Sequence, residues 1–124
     1  MKVFNRELGK RGEEIAKSYL EKKGYKIVSK NFRNRFGEID LVATNQGKII
    51  FIEVKLKIGD SFGSPEEMIN SKKLFQVQKT AWSFLQQNPG IAQKYQTYRI
   101  DAVCIVLGEG DRVLRISHYE NMTF

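Results

Sequence analysis

Eight consecutive residues in the middle of the chain, Ile49, Ile50, Phe51, Ile52, Glu53, Val54, Lys55 and Leu56, constrain the fold more than any other stretch. Apolar side chains at both parities predict a central strand covered on both faces. Glu53 and Lys55 lie two apart within it, so strand alternation puts both on one face. A buried lone carboxylate costs several kcal/mol unless it is paired or holds a metal, so Glu53 needs a partner. If Gln46 and Gly47 make a two-residue turn, Asn45 pairs with Lys48. Counting back along the hairpin then sets Asp40 opposite Glu53, with Cβ atoms about 4.5 to 5.5 Å apart. A four-residue loop leaves the two diagonal but still on one face. Facing carboxylates repel, and a divalent cation between them removes that penalty. Hard oxygen ligands without thiol or imidazole favour Mg²⁺ or Mn²⁺ over zinc. The alternative is a buried ion network in which Lys55 pairs with Glu53 or Asp40.

Around this strand the pattern alternates helix and strand. Leu8, Gly12, Ile15, Ala16, Tyr19 and Leu20 recur at helical spacing from about Asn5 to Lys23, and Gly24 stands where a left-handed cap belongs. Gly12 centres the apolar stripe, which lets the helix backbone approach its neighbour closely; Glu13 borders the stripe and could add a third carboxylate. Tyr25 to Phe32 reads as a strand, Asn34 to Gly37 as a turn, and Glu38 to Ala43 as a second strand. After the central strand comes a loop at Gly59, Asp60, Ser61, Phe62 and Gly63, then a capping-box start at Ser64, Pro65 and Glu67. The second helix, with a break near Asn70 and Ser71, runs through Leu74, Val77, Ala81, Trp82, Phe84 and Leu85 until Asn88, Pro89 and Gly90 stop it. A hairpin of Tyr98 to Leu107 with Arg112 to Tyr119 closes the chain. The order αβββαββ implies a single α/β domain over residues 1–124, a mixed sheet flanked by helices. No Gly-rich phosphate loop of the NTPase or dinucleotide type is present.

The charge is unevenly spread. Of the net +7, all lies in residues 1–35, which hold 11 basic and 4 acidic side chains, whereas residues 36–124 hold 10 of each. Lys10, Arg11, Lys17, Lys22, Lys23, Lys26, Lys30, Arg33 and Arg35 either form a solvated face or meet a polyanion, nucleic acid or anionic membrane. One cysteine, Cys104, and one histidine, His118, exclude a disulfide framework and a zinc site of about four ligands. A lone His118 near the end reads as a surface residue and supports no nucleophile scheme. No apolar run approaches the ~20 residues of a membrane span, and the first residues lack a signal-peptide core, so a soluble, cytoplasmic protein is expected.

From Gly9 to about Val106 the chain resembles the YraN-type family of uncharacterised bacterial proteins. These are predicted endonucleases, similar to archaeal Holliday-junction resolvases in the PD-(D/E)xK nuclease superfamily. The resemblance is carried by Gly9, Gly12, Glu13 and Ala16; by Gly37, Glu38, Ile39, Asp40 and Leu41; by Phe51, Ile52, Glu53, Val54 and Lys55; and by Lys73, Arg99, Ile100 and Asp101. It implies a restriction-endonuclease-like fold, Mg²⁺ (or Mn²⁺) held by Asp40 and Glu53 with Glu13 as the helix carboxylate, and Lys55 as catalytic lysine. Ile39 stands where the motif has proline. Glu38 is either a ligand or an ion-pair partner, and Asp101 has either a structural or a site role. Lys73 is expected to contact phosphate or to lie solvated. The expected activity is metal-dependent hydrolysis of DNA phosphodiesters, selective for branched structure, with Lys10, Arg11, Lys17, Arg33, Arg35 and Lys73 holding the backbone. The alternative is a nucleic-acid-binding module of the same fold without turnover. Membrane binding is not expected, and a homodimer such as resolvases form is left open.

Overall fold

The computed structural model describes residues 2–59, 63–95 and 97–122, with side chains from Arg6 onward; the loop positions Asp60, Ser61 and Phe62 lie outside them. Helix α1 (Lys2–Lys22) is followed by β1 (Lys26–Asn34), β2 (Gly37–Asn45) and β3 (Lys48–Ile58). A 3-10 turn (Pro65–Met68), α2 (Ser71–Gln87) and a short α3 (Pro89–Lys94) lead to β4 (Thr97–Leu107) and, through a second 3-10 turn (Glu109–Asp111), to β5 (Val113–Tyr119). The five strands lie in sequence order, so β3 is central. It runs antiparallel to β2 and parallel to β4, the crossover being made by α2 and α3. This is a mixed α/β fold of the restriction-endonuclease-like kind. No helix among the described residues is long and apolar enough to cross a membrane.

Each sheet face has its own core. On one, Ala16 and Leu20 of α1 pack on Leu41, Ala43, Ile50, Ile52 and Val54, together with Val103, Ile105 and Leu107. On the other, Leu74, Val77, Ala81 and Phe84 of α2 cover Ile39, Val42, Ile49, Phe51 and Ile100. β3 therefore sends its even positions to α1 and its odd positions to α2, which is why its sequence is apolar at both parities.

The β2–β3 register is the one that a two-residue turn dictates, from Asn45↔Lys48 to Leu41↔Ile52. Gln46 and Gly47 both have positive φ, 50° and 76°, as the tight hairpin turn requires. Beyond Leu41 the paired ladder ends and the strands fork. At the same level β2 turns over: Leu41 faces α1, yet Ile39, two residues away, faces α2. On β1 the turnover falls at Asn31, whose φ of 54° is left-handed, between Lys30, paired with Leu41, and Phe32, paired with Ile39.

Helix α1 closes as expected: Tyr25 N–H donates to Leu20 O and Gly24 N–H to Glu21 O, both at 3.0 Å, with Gly24 at φ 93°. Three local expectations are corrected. Ser64 makes no side-chain cap; the true N-cap is Asn70, whose side chain accepts from Lys73 N–H at 2.9 Å. Asn88 ends α2, but Pro89, suited to a first helical position, starts α3 at once. Trp82 falls on the outer face of α2 and is 60% exposed.

Gly12 is where α1 meets the sheet. A Cβ there would lie 3.2 Å from Leu56 Cβ and 3.6 Å from Val54 Cγ1. Gly12→Ala is expected to leave stability nearly unchanged, since the ~1 kcal/mol gained in helix propensity offsets this contact. Gly12→Val adds two further methyls and should cost about 1 to 3 kcal/mol in urea unfolding, with α1 displaced from β3. Equal stability of the two variants would show that the helix does not rest on this contact.

Candidate metal centre

The fork between β2 and β3 creates the site. Where the ladder stops, Asp40 Oδ2 accepts the Val54 backbone N–H at 2.7 Å, so a side chain serves a donor that the departing strand leaves. This fixes Asp40 beside Glu53, which projects from the α2 face of β3 and is only 3% exposed. Asp40 and Glu53 are thus neighbours as the register requires, joined through a side chain instead of a continued ladder. Burial, followed by the hydrogen bond and charge of Glu53, pushes the Asp40 carboxyl up to about 8, against the Val54 amide and Lys55, which lower it.

Glu13 reaches the same point from the opposite face, carried there by the close seat of Gly12 on β3. Burial and then the charge of Asp40 raise it to about 7, against a hydrogen bond from Asn31; Glu38 raises it further and Lys30 lowers it. Carboxylate oxygens of Glu13, Glu38 and Asp40 all lie within 4.8 Å of one another. Glu38 is also an ion-pair partner, its Oε2 lying 2.9 Å from Nη2 of Arg33, its cross-strand neighbour. The converging trio is therefore Glu13, Glu38 and Asp40, with Glu53 adjoining through Asp40.

Glu53 makes its ion pair with Lys73, whose Nζ lies 3.2 Å from Oε2. The geometry is not that of a hydrogen bond, and Oε2 is a buried oxygen with no hydrogen-bond donor. A hard cation suits this donor set: Glu13, Glu38 and Asp40 with Glu53 adjoining, four carboxylates of which Glu53 has a buried oxygen without a hydrogen-bond donor, and no softer ligand among them. Lys73 thus lies against Glu53, with its side chain 26% exposed. The helix start at Asn70 could have pointed to this, since it puts Lys73 in the first turn of α2, on the side of Leu74 and Val77.

Lys55 is half-buried, and among the described residues it forms no ion pair, so the buried network expected of it is made by Lys73 instead. It lines a cleft of about 850 Å³ with Leu8, Gly9 and Lys57. Lys10 and Lys17 line a smaller cleft of about 90 Å³ together with Glu13, Lys30 and Asn31, so these two cations flank the acids. Arg11 turns to a different groove of about 380 Å³, beside Tyr19 and Ile116. Arg33 is paired with Glu38, and the guanidinium of Arg35 lies 4.9 Å from the centre of the Phe36 ring.

Asp101 belongs to a structural network. Fully buried, it accepts from Arg99 Nε at 2.9 Å, His118 Nε2 at 2.8 Å and Asn121 N–H at 2.9 Å. These bonds hold it below the usual carboxylate range despite burial. His118, expected at the surface, has a side chain only 2% exposed. Lys23 Nζ donates to its Nδ1 at 2.8 Å, which assigns the Nε2 proton to Asp101.

The family model described as "Uncharacterised protein family UPF0102" matches residues 12–105. A UPF0102 protein of Syntrophomonas wolfei is 41% identical over 118 residues, covering 95% of this chain and 98% of the relative. One of Thermodesulfovibrio yellowstonii is 41% identical over 118 residues, covering 95% and 96%. A third, of Carboxydothermus hydrogenoformans, is 38% identical over 117 residues, covering 94% and 95%.

The raised carboxyls fix a pH dependence. Glu13 and Asp40 hold protons more tightly folded than unfolded, so the folded chain binds more protons between the ordinary range near 4 and about 8. Their contribution is full below that ordinary range and is lost as pH rises to about 8. The depressed groups, Asp101 and Glu66, the latter held at about 2 by Arg115, act on the acid side of this window. Without divalent cation, the urea midpoint should fall from pH 5 to about 8, and Asp40→Asn should flatten the slope. A midpoint that rises over this range, or a slope that Asp40→Asn leaves unchanged, would contradict the assignment.

Proposed function

The chain belongs to the uncharacterised protein family UPF0102, and because that membership names no activity, we propose from the site that it is a Mg²⁺-dependent endonuclease acting on DNA phosphodiesters, selective for branched structure. The observation that carries this reading is the cluster of half-buried carboxylates Glu13, Glu38 and Asp40 with the buried Glu53 adjoining, Lys55 lying near it and free of any ion pair among the described residues. Asp40, Glu13, Glu38 and Glu53 would hold the cation. When bound, Mg²⁺ supplies Lewis acidity towards the phosphate and lowers the pKa of a coordinated water. Lys55 is placed to orient the attacking water, or to offset negative charge as the P–O bond to the leaving strand breaks. Lys73 holds Glu53 in place. Lys10 and Lys17, flanking the acids, are placed to take the phosphates on either side of the scissile one, a contact that carries no base readout.

A second reading, a DNA-binding module without turnover, draws support from the Lys73–Glu53 pair, which already offsets part of the acidic charge without a metal.

Incubation with Mg²⁺ or Mn²⁺ and a panel of duplex, single-stranded, flapped and four-way DNA separates the two. On the nuclease reading, chelator abolishes cleavage. Asp40→Asn, Glu53→Gln and Lys55→Ala each reduce it about a hundredfold or more with far-UV circular dichroism unchanged. Cleavage that all three retain would point to a contaminant. Binding without cleavage on every substrate would favour the module.

For the flanking cations the readout is salt. Lys10→Ala and Lys17→Ala should each flatten the dependence of log affinity on log salt by about one unit. A slope that stays the same would remove them from the DNA path.

A further inference from the structure

The outer face of α2 carries an aromatic surface that the metal centre does not use. Phe36, Phe75, Trp82 and Tyr98, with Gln78 and Lys79, line a cleft of about 530 Å³. Trp82 is 60%, Phe75 50% and Tyr98 41% exposed. Lys79 Nζ lies 4.6 Å from the centre of the Phe75 ring and 6.0 Å from that of Phe36, and the guanidinium of Arg35 lies 4.9 Å from the centre of Phe36. The β1–β2 turn that carries Phe36 is pressed onto α2: a Cβ on Gly37 would meet Gln76 Cγ at 2.8 Å.

Composition and charge select the occupant. The apolar lining is wholly aromatic, with no aliphatic and no acidic side chain among the described residues. Flat rings interleaved with cations offer stacking faces to bases and counter-charges to phosphates. The same positive field repels a second copy of a chain with net charge +7. The position agrees. Phe75 follows Lys73, the partner of Glu53, by two residues on α2, and Phe36 precedes Glu38 by two on β2. From Lys73 to Trp82 is about 14 Å of helix, and from Phe36 to Asp40 about 13 Å of strand.

We propose that this cleft is a stacking platform for unpaired nucleotides of a DNA strand, so that the acid cluster receives substrates carrying a single-stranded segment beside the scissile phosphate. The destination of the strand rests on the nuclease reading; its binding to the platform does not.

Trp82 is the chain's one tryptophan and reports directly on the platform. In chelator, titration with single-stranded and flapped DNA should quench its fluorescence. Phe75→Ala and Trp82→Ala should weaken binding of these substrates, read by anisotropy of a labelled strand, at least about fivefold. Duplex affinity should change less than about twofold, because backbone contacts dominate there. Absence of quenching, equal losses on duplex and single strand, or a Trp82→Ala variant that converts a sedimenting dimer to monomer would each overturn the platform. If the variants lose single-strand binding while the parent chain cleaves nothing with Mg²⁺, the platform stands and the nuclease reading falls. If branched DNA is cleaved and bound equally well by Trp82→Ala, the nuclease reading stands and the platform falls.

Discussion

The bond from the Val54 amide to Asp40 Oδ2 holds the fork open. An antiparallel ladder is cooperative, and ending it inside a covered sheet strands backbone donors that cost about 1 to 3 kcal/mol each if left unmet. At 2.7 Å a carboxylate meets one of them and brings a charge into the gap. Beyond Ile52 the side of β3 that faced β2 has no strand paired to it, while β4 stays paired on the other side as far as Ile58, so Glu53 and Lys55 lie where β2 has parted from β3. The turnover at Asp40 and Asn31 then lets residues from both sides of the sheet converge, Glu13 from the α1 face and Glu53 with Lys73 from the α2 face.

Such convergence requires α1 to be fixed along its length. At its middle, Gly12 brings the backbone against Leu56 and Val54. Past its end, Lys23 and Tyr25 join His118, Asp101 and Arg99, with Arg99 Nη2 donating to Tyr25 OH at 2.7 Å. This buried network ties the helix to β4 and β5. Its charges are matched and its hydrogen bonds made, unlike those of the acid cluster at the fork, where like charges are crowded and Glu53 Oε2 has no hydrogen-bond donor. The two acidic sites thus differ in kind, one with its hydrogen bonds made internally and the other with like charges left crowded together.

What could be read in the sequence was local chemistry with one outcome. Gln46 and Gly47 make the two-residue turn one of the two readings, and either one leaves Asp40 and Glu53 on one face; the structure takes the two-residue register. Gly24 marks the end of α1, and the apolar run of β3 its place in the sheet. What could not be read depended on tertiary placement. Alternation predicts that Ile39 and Leu41 share a face; the left-handed Asn31 and the fork reverse this, and no local pattern signals it. Lys73 is a helix lysine like any other until α2 is laid across β3 beside a buried glutamate. His118 looked like a surface residue because its partners, Lys23, Tyr25 and Asp101, are distant in sequence. Hydropathy groups Trp82 with the core stripe, yet its helical angle turns it about 80° from Leu74 and about 140° from Val77, out of the face that the sheet covers.

The balance of charge becomes coherent at this level. A net +7 concentrated in the first 35 residues draws in a polyanion, yet the groups that those residues surround are carboxylates that would repel a phosphate at short range. Protons resolve the conflict only in part, since Glu13 and Asp40 are raised to about 7 and 8 and share neutral pH between two states. On the proposed reading a divalent cation held by Glu13, Glu38, Asp40 and Glu53 would take the place of those protons, add a hydrogen-bond-free buried oxygen, Glu53 Oε2, to its ligands, and offset the negative charge that a phosphate meets. On the proposed reading, then, cation and DNA bind cooperatively, each improving the site for the other, because burial has made the carboxylates poor anions when alone. On that reading the basic third would provide attraction at a distance, and the carboxylates at the fork would make close approach depend on the cation.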